Sequence, residues 1–250
     1  METKYKAVFA AMLSVGFCLI AIAQQQEPQA TDGKQQFYDP IQQSYARGND
    51  LELLMGFNID KKFSKKFEAG LNYQTRLNNV MSSFKAALVE GSLQYNLNKF
   101  VSFKTAFRQA WVAETDFHGW YSGTGTRQRI LFATYLKWKK KDFPLRLQGR
   151  LRIENEWASS NGYVTSYTFL RPRLNIEYNV CKLVDPYVSV EPFFNMRAAN
   201  SLGLMRFEAG LQWRVGKVAG LNTFYRLEAV NDFYKSKIHV MGLVWDFKFK

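Results

Sequence analysis

From Leu51 to Phe249 apolar and polar residues alternate with a period of two, in stretches of about ten to fourteen residues. LRLQGRLRIENEW, residues 145 to 157, is the plainest of them. Leu145, Leu147, Gly149, Leu151, Ile153 and Trp157 take every second position. Arg146, Gln148, Arg150, Arg152, Glu154 and Glu156 fill the positions between, and only Asn155 breaks the apolar series. Strand side chains point alternately to opposite faces, so the segment is a strand with one greasy and one charged side. In a soluble sheet the greasy side would be the core. In a transmembrane barrel it would meet lipid, and the charges would face a lumen.

Two features favour the barrel. The strands are about twice the usual globular length, which suits a tilted crossing of a bilayer. Lysine and arginine are also segregated. Lysines crowd the turns (Lys61, Lys62, Lys65, Lys66, Lys99, Lys139, Lys140, Lys141, Lys182, Lys217), whereas the polar faces within strands use Arg, Glu, Asn, Gln and Gly. A solvated face tolerates lysine freely. An enclosed one favours arginine, whose planar fork holds several fixed partners. A soluble β-sandwich is the alternative.

Eleven such strands are legible. The first carries Leu51, Leu53, Met55, Phe57 and Ile59 on one face, and the last, HVMGLVWDFKFK, carries Met241, Leu243, Trp245, Phe247 and Phe249. The turns near 60 to 66, 98 to 99, 139 to 143, 181 to 185 and 216 to 220 are short. Those near 115 to 126, 158 to 166 and 198 to 204 are mostly longer and richer in Gly, Ser and Asn. Outer-membrane barrels have short periplasmic turns and longer external loops, so the lysine-rich turns are expected in the periplasm. Bacterial single-chain barrels have even strand counts. The expectation is therefore an all-β, antiparallel up-and-down barrel of about twelve strands, with ten as the alternative. The extra strand is sought in the weakly patterned 34 to 47 region.

Residues 1 to 23 read as a cleaved secretory signal: Lys4 and Lys6 precede an apolar run ending Ala21-Ile22-Ala23. Residues 24 to 50 form a polar, Gln-rich extension, and residues 51 to 250 form the barrel. Cys18 lies in the signal, so Cys181 alone remains in the expected mature chain, with neither an intramolecular disulfide nor a cysteine metal cluster. No later segment is long and apolar enough for a transmembrane helix. The net charge of +13 would suit nucleic acid only if basic and aromatic residues shared an accessible face. Here they alternate across the strand, and nucleic acid is not an expected partner.

The later half carries LRLQGRLRIENEW, FLRPRLNIEYNV, DPYVSVEPFFN, MRFEAGLQWRV and FYRLEAVND before the terminal strand. This series resembles the domain of unknown function 2490, a set of predicted Gram-negative outer-membrane barrels. The resemblance implies fold and location, an outer-membrane barrel from about Leu51 to the C-terminus, and brings no activity with it.

The candidate functional constellation is the charged face. Its residues are Arg108, Arg146, Arg150, Arg152, Arg171, Arg173, Arg206, Arg214 and Arg226, with Glu68, Glu154, Glu156, Glu177, Glu191, Glu208 and Glu228. Either they line a small anion-preferring pore, since basic rings bias a pore toward anions, or they pair and plug a narrow interior. Neutralising Arg150 with Arg173 would lower anion preference in the first case and strand glutamate partners in the second. A lipid-acting outer-membrane enzyme is the less favoured alternative, and catalysis has little support. His118 in the TDFHGWYSG stretch and His239 are the two histidines, and neither has a nucleophile and orienting group at a recognisable spacing. The Gly119 to Gly125 run reads as a flexible external loop. No catalytic residue, metal or cofactor is assigned. Expected partners are outer-membrane lipids, the barrel assembly machinery and small anionic solutes.

The mature chain is expected to begin near Gln24 and to fractionate with outer membranes. Mass spectrometry of the N-terminus and sucrose-gradient separation of envelopes check this. A full-length chain recovered from the cytosol would refute it.

Overall fold

The computed structural model describes residues 50–78, 80–115, 121–139, 144–160, 163–181, 183–196, 201–231 and 237–249. Within them the period-two segments form eleven strands: β1 (Asp50–Lys62), β2 (Phe67–Asn78), β3 (Ser83–Asn96), β4 (Val101–Thr115), β5 (Tyr121–Lys139), β6 (Leu145–Ser160), β7 (Tyr163–Tyr178), β8 (Val184–Asn195), β9 (Ser201–Arg214), β10 (Ala219–Val230) and β11 (Lys237–Phe249). Each pairs antiparallel with its neighbour in sequence, and the sheet closes on itself when β1 meets β11. Closure removes the exposed strand edges that an open sheet would present. It also pairs the backbone polar groups within the sheet, as a lipid environment requires.

The count equals the eleven segments legible in the periodicity, one short of twelve. An odd number of up-and-down strands leaves the first and last running the same way. The closing ladder is accordingly parallel, with Asp50 beside Ile238, Phe57 beside Trp245 and Lys61 beside Phe249. The proposed signal, the rest of the polar extension and the strand sought in 34 to 47 lie outside the described residues.

Alternation sorts the two faces as lipid would. Phe103, Phe107, Trp111, Phe132, Leu136, Trp138, Leu151, Leu174, Leu211, Trp213, Leu243 and Trp245 are all exposed on the outside of the barrel. A belt of large apolar side chains this extensive is far beyond the patches that soluble monomers leave in water. It is the kind of outward apolar band that a transmembrane barrel turns to lipid. The reverse face holds the charges.

Turn chemistry closes the hairpins at the lysine-rich end. Between β1 and β2 the Ser64 Oγ accepts from the amides of Lys66 at 3.1 Å and Phe67 at 3.0 Å. Between β3 and β4 the Asn98 Oδ1 accepts from the amides of Phe100 at 2.8 Å and Val101 at 2.9 Å. Side-chain oxygens of Ser and Asn mimic a backbone turn in this way.

At the opposite end the structure corrects the expected loops. Tyr121 to Gly125, read as part of a flexible loop, belongs to β5, with Gly125 beside Val112 and Gly123 beside Glu114. β6 and β7 likewise run to Ser160 and from Tyr163, through much of the 158 to 166 stretch. The hairpin ladder needs only backbone donors and acceptors, which Gly, Ser and Thr supply as well as Leu does. It therefore continues past the point where apolar alternation stops.

With Cys18 and Cys181 removed, Phe57→Cys paired with Trp245→Cys should join through a short cysteine crosslinker. Adjacent strands lie about 4.8 Å apart, and a strand inserted at the seam would double that. A crosslink on a denaturing gel confirms the eleven-strand closure. A correctly folded chain that fails to crosslink would place another strand between β1 and β11.

The candidate functional site in the barrel interior

The inward face of the strands builds one connected array of charges. Arg171 on β7 sits at its centre. Its Nη1 donates to Glu154 Oε1 on β6 at 2.8 Å, its Nε donates to Glu191 Oε1 on β8 at 3.1 Å, and its guanidinium lies 3.7 Å from the centre of the Phe193 ring. Glu191 also receives Arg150 from β6 and Arg206 from β9, the latter at 3.4 Å. Arg206 donates through Nε to Glu228 on β10 at 3.0 Å. Glu228 is reached in turn by Arg226 at 3.7 Å and by Arg76 of β2 at 3.6 Å. Arg76 leads to Glu52 on β1 at 3.6 Å, and Glu52 holds Lys85 of β3.

On the other flank Glu154 is also 3.2 Å from Arg129 of β5 and 3.7 Å from Arg152. Arg129 and Arg127 meet Glu156. Glu208 on β9 accepts from Arg226 Nε at 2.7 Å, Arg173 Nη2 at 3.0 Å and the Tyr187 hydroxyl at 2.8 Å. A separate triad joins Glu90 to Arg108 at 2.6 Å and to Lys104 at 3.8 Å.

These pairs join strands that are not neighbours in the sheet, β6 to β8, β7 to β9 and β2 to β10. Only side chains on the inner face that reach over the intervening strands can do that. Glu52 and Glu228 are 0% exposed, and Glu154, Glu156 and Glu191 are 1%. A buried carboxylate is costly unless several partners hold it, and each of these five has at least two cationic neighbours. Arg146 with Glu177 at 2.7 Å, Arg214 with Asp185, and Lys62 with Glu68 at 4.0 Å form separate pairs toward the lysine-rich end, where Arg146, Arg214 and Lys62 are more exposed.

The wall at the seam is apolar. Leu54, Tyr187, Leu204, Phe224, Val230, Ile238, Val240 and Val244 form a buried cluster on the inner face of β1 and β8 to β11. Gly242 is required here, because a Cβ at that position would collide with the Phe224 ring. Gly210 makes room in the same way for the Tyr187 ring, whose Cε1 would lie 2.7 Å from an added Cβ.

Several members of the array were not singled out from sequence. Arg76, Arg127, Arg129, Lys104, Glu52 and Glu90 follow the parity of their own strands, which is the signal that could have found them. Lys85 does not. Alternation back from Leu93 puts it on the lipid face, but a register shift opposite Arg76 and Leu77 turns it inward and Phe84 outward. The misplaced charge was itself the clue, since lysine facing lipid is costly. His118 lies outside the described residues. His239 is on the outer face, its Nδ1 2.5 Å from the Tyr225 hydroxyl. Among the described residues no group of His, Cys, Asp and Glu could hold a metal.

Fold and interior together define a transmembrane-type β-barrel crossed by buried Arg and Glu pairs. A family model described as a protein of unknown function (DUF2490) matches residues 52–238, and the chain belongs to that family. Among solved structures it is similar to the β domain of the Bordetella autotransporter Brka, at 13% identity and a TM-score of 0.46, over 68% of this chain and 80% of that one. It is also similar to the translocator domain of autotransporter NalP from Neisseria meningitidis, at 10% identity and a TM-score of 0.45, over 70% of this chain and 73% of that one. No curated protein matches the chain.

Glu191→Gln leaves Arg150, Arg171 and Arg206 around a neutral amide. It should lower unfolding stability in detergent by about 3 kcal/mol or more. Glu68→Gln, near the lysine-rich end, should change it by less than about 1 kcal/mol. Urea titrations of the two variants against wild type check the contrast.

Proposed function

We propose that this protein is an outer-membrane barrel, exported by its N-terminal signal, whose lumen is closed to passive diffusion and whose function is carried by its ends as a structural or interaction barrel. The observation that carries this reading is the array joining β6 to β8, β7 to β9 and β2 to β10. Such pairs project into the cross-section that a channel would need, and the apolar cluster under β11 lines the wall beside them, which supports the reading. The lysine-rich end, where the C-terminal strand finishes, is assigned to the periplasm.

The anion-preferring pore remains the second reading because the array holds more cations than glutamates. That excess alters what the Arg150 and Arg173 changes would do. Glu191 retains Arg171 and Arg206, and Glu208 retains Arg226 and Tyr187. Removing both arginines therefore strands no glutamate.

Reconstituted wild-type protein should show no steady single-channel conductance, and Arg150→Gln with Arg173→Gln should fold without opening one. A well-folded wild type with a stable, anion-selective conductance that falls in the double variant would overturn the closed reading in favour of the pore.

A further inference from the structure

Near its lysine-rich end the barrel opens into a cavity of about 790 Å³. Lysines come to its wall from several separate elements: Lys62 ends β1, Lys66 precedes β2, Lys99 precedes β4, Lys137 lies in β5, Lys217 precedes β10 and Lys248 lies in β11. The acids among the lining residues are Asp60 and Glu68. Glu68 is 4.0 Å from Lys62, at the outer limit of an ion pair. Among the described residues Lys66, Lys137 and Lys217 make no ion pair.

Lysines in turns are ordinarily a solvated rim. Three features separate these from a rim: they surround a concave space, they outnumber the acids, and in the wall behind them arginines again outnumber acids. Two residues inward from Asp60 and Lys137, Asn58 and Tyr135 line a second chamber of about 250 Å³ that also carries Arg150, Arg173 and Arg226, with Glu208 the acid among its lining residues. The charged array lies immediately behind it. A cleft in which one sign of charge predominates, between low-dielectric walls, focuses its field on whatever enters.

We infer that this vestibule is a binding site for a compact, multivalent, phosphate-rich anion. Its volume lies within the range of about 300 to 1,000 Å³ typical of small-ligand sites. Lysine ammoniums on flexible stems act as movable point charges, suited to several phosphates at variable spacing, whereas a single planar carboxylate is better met by arginine. The arginines and side-chain amides of the inner chamber form a floor that can receive the deepest group. The inference rests on the closed-barrel reading only for the blind inner end.

The test uses the full chain, purified in a non-ionic detergent and titrated calorimetrically with inorganic tripolyphosphate. Saturable binding at 50 mM salt is expected, weakening at least tenfold by 200 mM. Lys137→Gln with Lys217→Gln should weaken it at least tenfold more, and Lys137→Arg with Lys217→Arg should restore it. Lys61→Gln with Lys237→Gln should leave affinity unchanged, because Lys61 is exposed at the same end without lining the cavity and Lys237 opens β11 at the opposite end. Displacement of tripolyphosphate by a short-chain phosphatidic acid would make a lipid headgroup the source of the phosphate; resistance to it would make the source soluble. Absence of saturable binding to a folded chain, or equal loss in the two Lys→Gln pairs, would overturn the site. Conductance measurements decide the closed reading separately, so the two can fail independently.

Discussion

An odd number of up-and-down strands can close into a barrel only through one parallel ladder, and much of the interior is arranged around that necessity. Parallel pairing is slightly weaker per residue than antiparallel pairing, so the seam between β1 and β11 is the place where side-chain packing matters most to closure. The inward residues there are apolar: Leu54 on β1 packs in the same cluster as Ile238, Val240 and Val244 on β11 and Phe224 on β10. Gly242 lets the Phe224 ring lie against the backbone of the closing strand. The outward seam residues, Phe57 beside Trp245 and Leu53 beside Met241, are large and apolar as well. Closure is thus sealed from both sides by hydrophobic contact.

The rest of the interior follows a different rule. Burying a carboxylate within a barrel is unfavourable unless several donors converge on it, and one side chain rarely meets another across a wide lumen. Here the arginines are long enough to reach past a neighbouring strand, as Arg150 does to Glu191 and Arg173 to Glu208. Phe193 adds a ring face between Arg171 and Arg206, at 3.7 Å and 4.7 Å from their guanidiniums. A cation on an aromatic face gains most where it is desolvated, so the ring stabilises two like charges that would otherwise repel. Glutamates lie at the nodes, and arginines bridge between them.

Most of the fold was legible in the sequence because one variable, the parity of the strand, decides both lipid contact and lumen contact. Leu147, Leu211 and Trp245 on one side and Arg150, Arg171 and Glu191 on the other were separable without coordinates. Parity fails at Lys85, where one extra residue in β3 reverses the faces beyond it. It is also silent about depth and partner. Nothing local in LRLQGRLRIENEW states that Arg150 will meet Glu191 rather than Glu177, because that depends on strand tilt and on reach over β7. The Tyr121 to Gly125 stretch was hidden for another reason: its strand is specified by the ladder it joins, not by its own pattern.

The balance of charge links the interior to the ends. An array designed only to satisfy its glutamates would need roughly one cation for each, yet Glu154, Glu191 and Glu228 each meet three. Surplus cations inside a low-dielectric wall raise the potential of the whole lumen. Toward the lysine-rich end Arg150, Arg173 and Arg226 line the inner chamber together with Glu208, and the surrounding polar groups are mostly neutral amides. Interior and mouth therefore carry the same predominant sign of charge. The same arginines that hold the buried glutamates also set the predominant charge of the inner chamber.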